Sequence, residues 1–198
     1  MMDVSDLVGA AFLPTDGQAS PSDLCQALAK GAKMEGAQII EGCRVTGFDI
    51  RDGRVAGVQT ELGDIECEIA VNCCGIWARE CGRLAGVSVP VQPMQHQYLI
   101  TEPIEGVTAD LPTLRDPDRL CYFKEEVGGF AMGGYELEPM PWTPSDGIPR
   151  DFHFQLLESD WDQFEGLFLQ AVGRVPALEN AGIRQLINGP EAFTPDGS

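Results

Sequence analysis

The stretch from Ile69 to Glu80 reads Ile-Ala-Val-Asn-Cys-Cys-Gly-Ile-Trp-Ala-Arg-Glu, and it constrains the fold more than any other part of the chain. The short apolar run predicts a buried strand, Gly75 allows a tight turn, and Trp77-Ala78 opens a helix. Strand, glycine turn and helix N-terminus form a natural seat for a nucleotide, because unpaired N–H groups and the helix dipole face the ligand. Many such turns bind nothing, so the segment takes its meaning from what flanks it.

Upstream, Pro21-Ser22-Asp23 is a helix start, with Leu24, Leu28 and Ala32 on one face and an end near Gly36. Gln38-Ile39-Ile40 predicts a strand. A meander follows: Val45 to Arg51, a turn at Asp52-Gly53, Val55 to Thr60, a turn near Gly63-Asp64, then Ile65 to Cys67. Downstream, Val89 to Thr101 reads as one long strand, bent or at an edge because of Pro90 and Pro93. Cys121 to Lys124 and Phe130 to Met132 pair around Gly128-Gly129. Glu138 to Pro149 is a proline-rich loop. A helix over Ser159 to Val172 sends Trp161, Phe164, Leu167 and Phe168 to the core. Ile183 to Ile187 is a last strand, ended by a turn at Gly189-Pro190. The fold class is thus mixed α/β and α+β.

The 198 residues carry 13 Lys plus Arg against 31 Asp plus Glu, a formal charge of −18. That balance opposes binding to a nucleic-acid backbone, which needs a basic footprint. No apolar run reaches the roughly 20 residues of a membrane span, and no secretory signal opens the chain. The seven cysteines show no Cys-x-x-Cys spacing and lie apart from His96 and His153, so no metal site is expected. They read as free thiols in a reducing compartment.

Taken in order, Gly9 to Pro14 with Asp16-Gly17 and Pro21, Val71 to Ala78, His96 to Thr101, Leu114 to Asp116, Gly133 to Glu136 and Gly189 to Gly197 form a specific set. Together they resemble the D-amino-acid-oxidase-like FAD-dependent oxidoreductases, and more closely the sarcosine and dimethylglycine dehydrogenases. The resemblance implies part of an FAD-binding two-dinucleotide-binding domain plus an antiparallel-sheet substrate domain. Residues 1–16 would end a substrate-domain segment, 17–87 form a partial FAD-binding domain, 88–187 the substrate domain, and 188–198 the return to the FAD domain. The family's GxGxxG unit for the FAD pyrophosphate is not found in these residues. The chain is therefore expected to be an internal piece of a longer enzyme, inactive in isolation. In the complete dehydrogenases a C-terminal region binds tetrahydrofolate as a second cofactor.

The implied reaction is oxidation of an N-methylated glycine by hydride transfer to FAD, in cytoplasm or mitochondrial matrix, with no membrane span. His96 and Tyr98 stand two residues apart on one strand face. The resemblance places His96 against the substrate; the alternative is a strand histidine satisfied by a backbone carbonyl. Tyr122 and Tyr135, on the two arms of the glycine hairpin, offer a hydroxyl or an aromatic face to the same substrate, or simply pack. Lys124 offers a charge to the substrate carboxylate or is an exposed strand lysine, and Arg115-Asp116 reads as a surface pair. For FAD the matching positions are Val45, Cys74, Gly75 and Trp77; Val45 as a meander core residue and Trp77 as a junction plug are the structural alternatives. Two other functions stay open: a non-catalytic module that kept the fold without the cofactor, and oxidation of another secondary amine or a D-amino acid.

Overall fold

The computed structural model describes residues 1–144 and 147–196. Ser145 and Asp146, within the predicted proline-rich loop, and Gly197, within the last motif, lie outside the described residues. The chain divides into two units, Met1–Gln18 with Pro93–Glu191 and Ala19–Gln92 with Ala192–Ser198. Among the described residues no helix is long and apolar enough to cross a membrane.

The first unit is built on a five-stranded sheet ordered β5-β6-β7-β4-β8. Its strands are β4 (Gln92–Thr101), β5 (Leu114–Asp116), β6 (Cys121–Glu126), β7 (Gly129–Gly134) and β8 (Ile183–Phe193). Antiparallel pairing joins β5 to β6, β6 to β7, and β7 to β4. Strand residues alternate between faces, and one face is the core. Leu99, Cys121, Phe123, Phe130 and Met132 lie buried with Phe164, Leu167 and Ala171 of helix α3 (Trp161–Arg174). Predicted core residue Trp161 instead stays 46% exposed, because it occupies the first helical position. The turn expected at Gly189-Pro190 does not form. β8 continues to Phe193, and the proline is carried within it.

Polar side chains on the core face do specific work. The Gln97 amide donates to the Asp160 carbonyl at 2.9 Å and accepts from the Asp160 N–H at 2.8 Å. Asp160 in turn caps α3 by accepting from the Gln163 N–H at 3.0 Å. Arg174, at the far end of α3, is 2% exposed. Its Nε donates to Asp116 at 2.6 Å, and its Nη1 donates to Asp6 at 2.8 Å and to the Asp3 carbonyl. Arg115-Asp116 is therefore not a surface pair: strand alternation sends the two side chains to opposite faces, and Asp116 is buried against Arg174.

The second unit holds helix α1 (Pro21–Met34), the three-stranded meander β1 (Val45–Arg51), β2 (Arg54–Thr60) and β3 (Gly63–Glu66), and a 3₁₀ turn Gly75–Trp77 leading into α2 (Ala78–Leu84). α1 starts as the sequence predicts, with Ser20 accepting from the Asp23 N–H and proline at the first position. The Asp52-Gly53 turn places both residues at positive φ, 52° and 75°, the geometry that tight hairpins favour. Two expected strands are absent. Residues 38–40 and 69–73 belong to no strand, and Ile40, Ile69 and Val71 are exposed. A doubly buried strand needs flanking strands for its amides and carbonyls, and neither segment has one among the described residues. The face of α1 carrying Leu24 and Leu28 is exposed.

Removing the Phe164 ring should destabilise the first unit by about 3–5 kcal/mol, because it is fully buried; denaturant unfolding of Phe164→Ala measures this. Acid should act through the arginine cluster. The hydrogen bonds from Arg174 and then Arg119 hold the Asp6 carboxyl at about 2, against an ordinary 3.8. Burial pushes Asp116 up, but Arg174 and the Arg119 and Asp118 amides hold it below its ordinary value. Both carboxyls thus contribute stability above about pH 4 that is lost as pH falls toward 2. Melting temperature should fall across that window, and less steeply in Arg174→Met.

Candidate functional site

The face of the first unit's sheet opposite α3 carries the aromatic and ionisable groups. Register makes the row explicit. Arg115 lies opposite Tyr122, Tyr122 opposite Gly133, and Gly133 opposite Tyr98, so these side chains share one face across four strands. His96 and Tyr135 follow two positions further along. Their rings stack with centroids 4.7 Å apart and planes inclined by 28°. The Arg115 guanidinium lies 5.9 Å from the Tyr135 ring centroid. Sequence reasoning also singled out Lys124, which pairs with Glu126 at 2.8 Å.

Gly133 is required by this row. A Cβ there would stand 2.5 Å from the Tyr122 hydroxyl and 2.9 Å from the Tyr98 Cβ. With glycine, the two tyrosines close over the backbone from either side. Burial pushes the Tyr122 phenol up to about 12, with Tyr135, Tyr98, Glu191 and Glu136 adding to the shift. A phenol in that state donates a hydrogen bond and does not ionise near neutrality.

Glu136 was not singled out from the sequence by itself, because a glutamate after a glycine pair looks like a loop residue. Its side chain is 9% exposed, and its Oε2 lies 4.0 Å from Nδ1 of His96. Its Oε1 is buried with no hydrogen-bond partner among the described residues. The structure thus brings His96, Tyr122 and Tyr135 onto one face and adds Tyr98, Arg115 and Glu136. A concavity of about 570 Å³ lies elsewhere in the unit, lined by Gln95, Trp142 and residues 157–162 at the N-terminal end of α3.

The positions matched to FAD lie in the second unit. Gly75 has φ 53° and open space where a Cβ would stand. Asn72 fixes the turn, accepting from the Cys74 N–H at 3.2 Å and donating to the Ala78 carbonyl at 2.9 Å. Cys74 and Trp77 are exposed at this turn, and Val45 is exposed at the start of β1. Val45 is therefore not a meander core residue. Neither is Trp77 a buried plug, since it keeps 37% exposure while Ile76 takes the buried position. The seven-residue α2 has little macrodipole to offer an anion. Among the described residues no glycine-rich strand–helix turn offers a pyrophosphate clamp. The exposed Trp77 indole and the open Gly75 backbone are chemically suited to a flat ring system.

A match to the FAD dependent oxidoreductase family extends over residues 2–198. The chain belongs to the DAO family of FAD dependent oxidoreductases. Its relatives include the mitochondrial sarcosine dehydrogenase of Mus musculus, 42% identical over 99% of this chain and 21% of that protein. The mitochondrial dimethylglycine dehydrogenase of Homo sapiens is 33% identical over 99% and 23%. The mitochondrial pyruvate dehydrogenase phosphatase regulatory subunit of Mus musculus is 39% identical over 99% and 22%. The chain thus spans less than a quarter of the length of these relatives. Among solved structures, L-proline dehydrogenase from P.horikoshii aligns with a TM-score of 0.78 at 28% identity, covering 98% of this chain and 50% of that one. The antiparallel sheet with mixed α/β surroundings is thus the DAO fold.

Spectrophotometric titration should show one tyrosine ionising near pH 12. Tyr122→Phe should delete that component; its survival would show that another phenol carries it.

Proposed function

We propose that this chain forms the substrate-facing sheet and part of the FAD-binding region of a dehydrogenase that oxidises N-methylated glycines, sarcosine or dimethylglycine. One observation carries the reading: a histidine, two tyrosines and a buried carboxylate converge on the sheet face that α3 leaves open. The family membership and the names of the relatives support it. When bound, FAD supplies the hydride acceptor.

This chain's residues have the remaining tasks. His96 takes up or orients the proton of the amine, since only the neutral amine has the lone pair that expels hydride from its methyl carbon. The stacked Tyr135 fixes the imidazole plane and offers its face to a methylated nitrogen. Tyr122, held protonated, donates its hydroxyl to the substrate carboxylate. Val45, Cys74, Gly75 and Trp77 line the edge of the FAD seat, and the rest of that seat, with any tetrahydrofolate site, belongs to other parts of the full-length protein. The substrate is a small-molecule amino acid, and the compartment is mitochondrial matrix in a eukaryote or cytoplasm in a bacterium.

A second reading rests on a specific relative. The 39%-identical protein is named a regulatory subunit, so a non-catalytic role on this fold is the rival. Reduction of bound flavin by substrate separates the two, and comparing sarcosine, dimethylglycine and proline tests the substrate range. In the full-length flavoprotein, His96→Ala should slow flavin reduction by about 100-fold or more while FAD occupancy stays at the wild-type level. Unchanged reduction would remove His96 from the mechanism. Trp77→Ala should lower FAD occupancy instead, and full retention would count against that contact.

A further inference from the structure

Glu136 follows directly on the tyrosine that stacks against His96, and its carboxylate is poorly satisfied. The side chain is nine-tenths buried. Oε1 has no hydrogen-bond partner among the described residues, and Oε2 has His96 Nδ1 only at 4.0 Å, beyond hydrogen-bond reach. A carboxylate buried in this state is strongly disfavoured unless a donor, and preferably a positive charge, completes its surroundings. The cations on the same face are engaged elsewhere. Lys124 pairs with Glu126, and Arg115 lies over the Tyr135 ring. A water molecule would satisfy the lone pair but not the charge.

What completes both is a small cation carrying an N–H, placed beside aromatic rings. Resting on the function proposed above, we propose that Glu136 is a substrate-recognition residue: its Oε1 accepts a hydrogen bond from the N–H of a secondary or tertiary ammonium. The same oxygen discriminates against two look-alikes. A quaternary ammonium carries the charge but has no N–H to donate. An ether of the same shape has neither the charge nor the donor, and it leaves the carboxylate buried and unpaired. Specificity for an amine capable of losing a proton would then reside in Glu136, next to the histidine assigned to that proton.

The test uses the full-length FAD enzyme, chemically reduced so that no turnover occurs, with affinities read by titration calorimetry. Wild-type protein should bind sarcosine about tenfold or more tightly than methoxyacetate, its neutral ether counterpart. Glu136→Gln should lose about tenfold in sarcosine affinity while methoxyacetate affinity stays within about twofold. Equal wild-type affinities for the two ligands would overturn the proposal without any variant. So would an unchanged sarcosine-to-methoxyacetate ratio in E136Q, and either result would leave the dehydrogenase reading standing. Wild-type enzyme that binds neither ligand and whose flavin no N-methyl amino acid reduces would overturn both.

Discussion

Helix α3 packed against one face of the five-stranded sheet determines what the other face can be. Once Phe164, Leu167 and Ala171 have covered Leu99, Phe123 and Met132, the period-two alternation of β4, β6 and β7 leaves every second side chain pointing away from the core. His96, Tyr98, Tyr122 and Arg115 fall on that second face as a consequence of register. Slipping one strand by a single residue would bury these groups and expose the core set. The candidate site is therefore a property of the whole sheet, and stiffness in the core is stiffness in the site.

Buried polar groups hold that register at both ends of α3. Gln97 ties β4 to the backbone of the α3 cap residue Asp160. Arg174 ties the other end to Asp116 of β5 and to the N-terminal segment through Asp3 and Asp6. Each anchor shares a strand with a residue of the open face: Gln97 lies between His96 and Tyr98, and Asp116 follows Arg115. A polar clamp on one side of the sheet thus positions an aromatic or charged group on the other.

Much of this was legible in the sequence wherever local signals sufficed. The Asp52-Gly53 hairpin, the α1 start at Pro21 and the alternation that pairs His96 with Tyr98 are short-range patterns, and the structure shows each of them. The predicted strands at 38–40 and Ala70-Val71 failed because apolar runs reveal a wish to be buried, and only a neighbouring strand can grant it. Arg174 and Asp116 were missed since an ion pair 58 residues apart leaves no local trace. Glu136 was hidden for a related reason: the His96 imidazole beside it lies 40 residues away in sequence, which leaves no local trace.

The central claim is that the open face of this sheet is the wall against which substrate rests. A crystal structure of the full-length flavoprotein with bound methoxyacetate tests it most directly. The account predicts the ligand in van der Waals contact with His96 and Tyr135, with its carboxylate accepting from the Tyr122 hydroxyl. A ligand bound out of contact with all three side chains would contradict it.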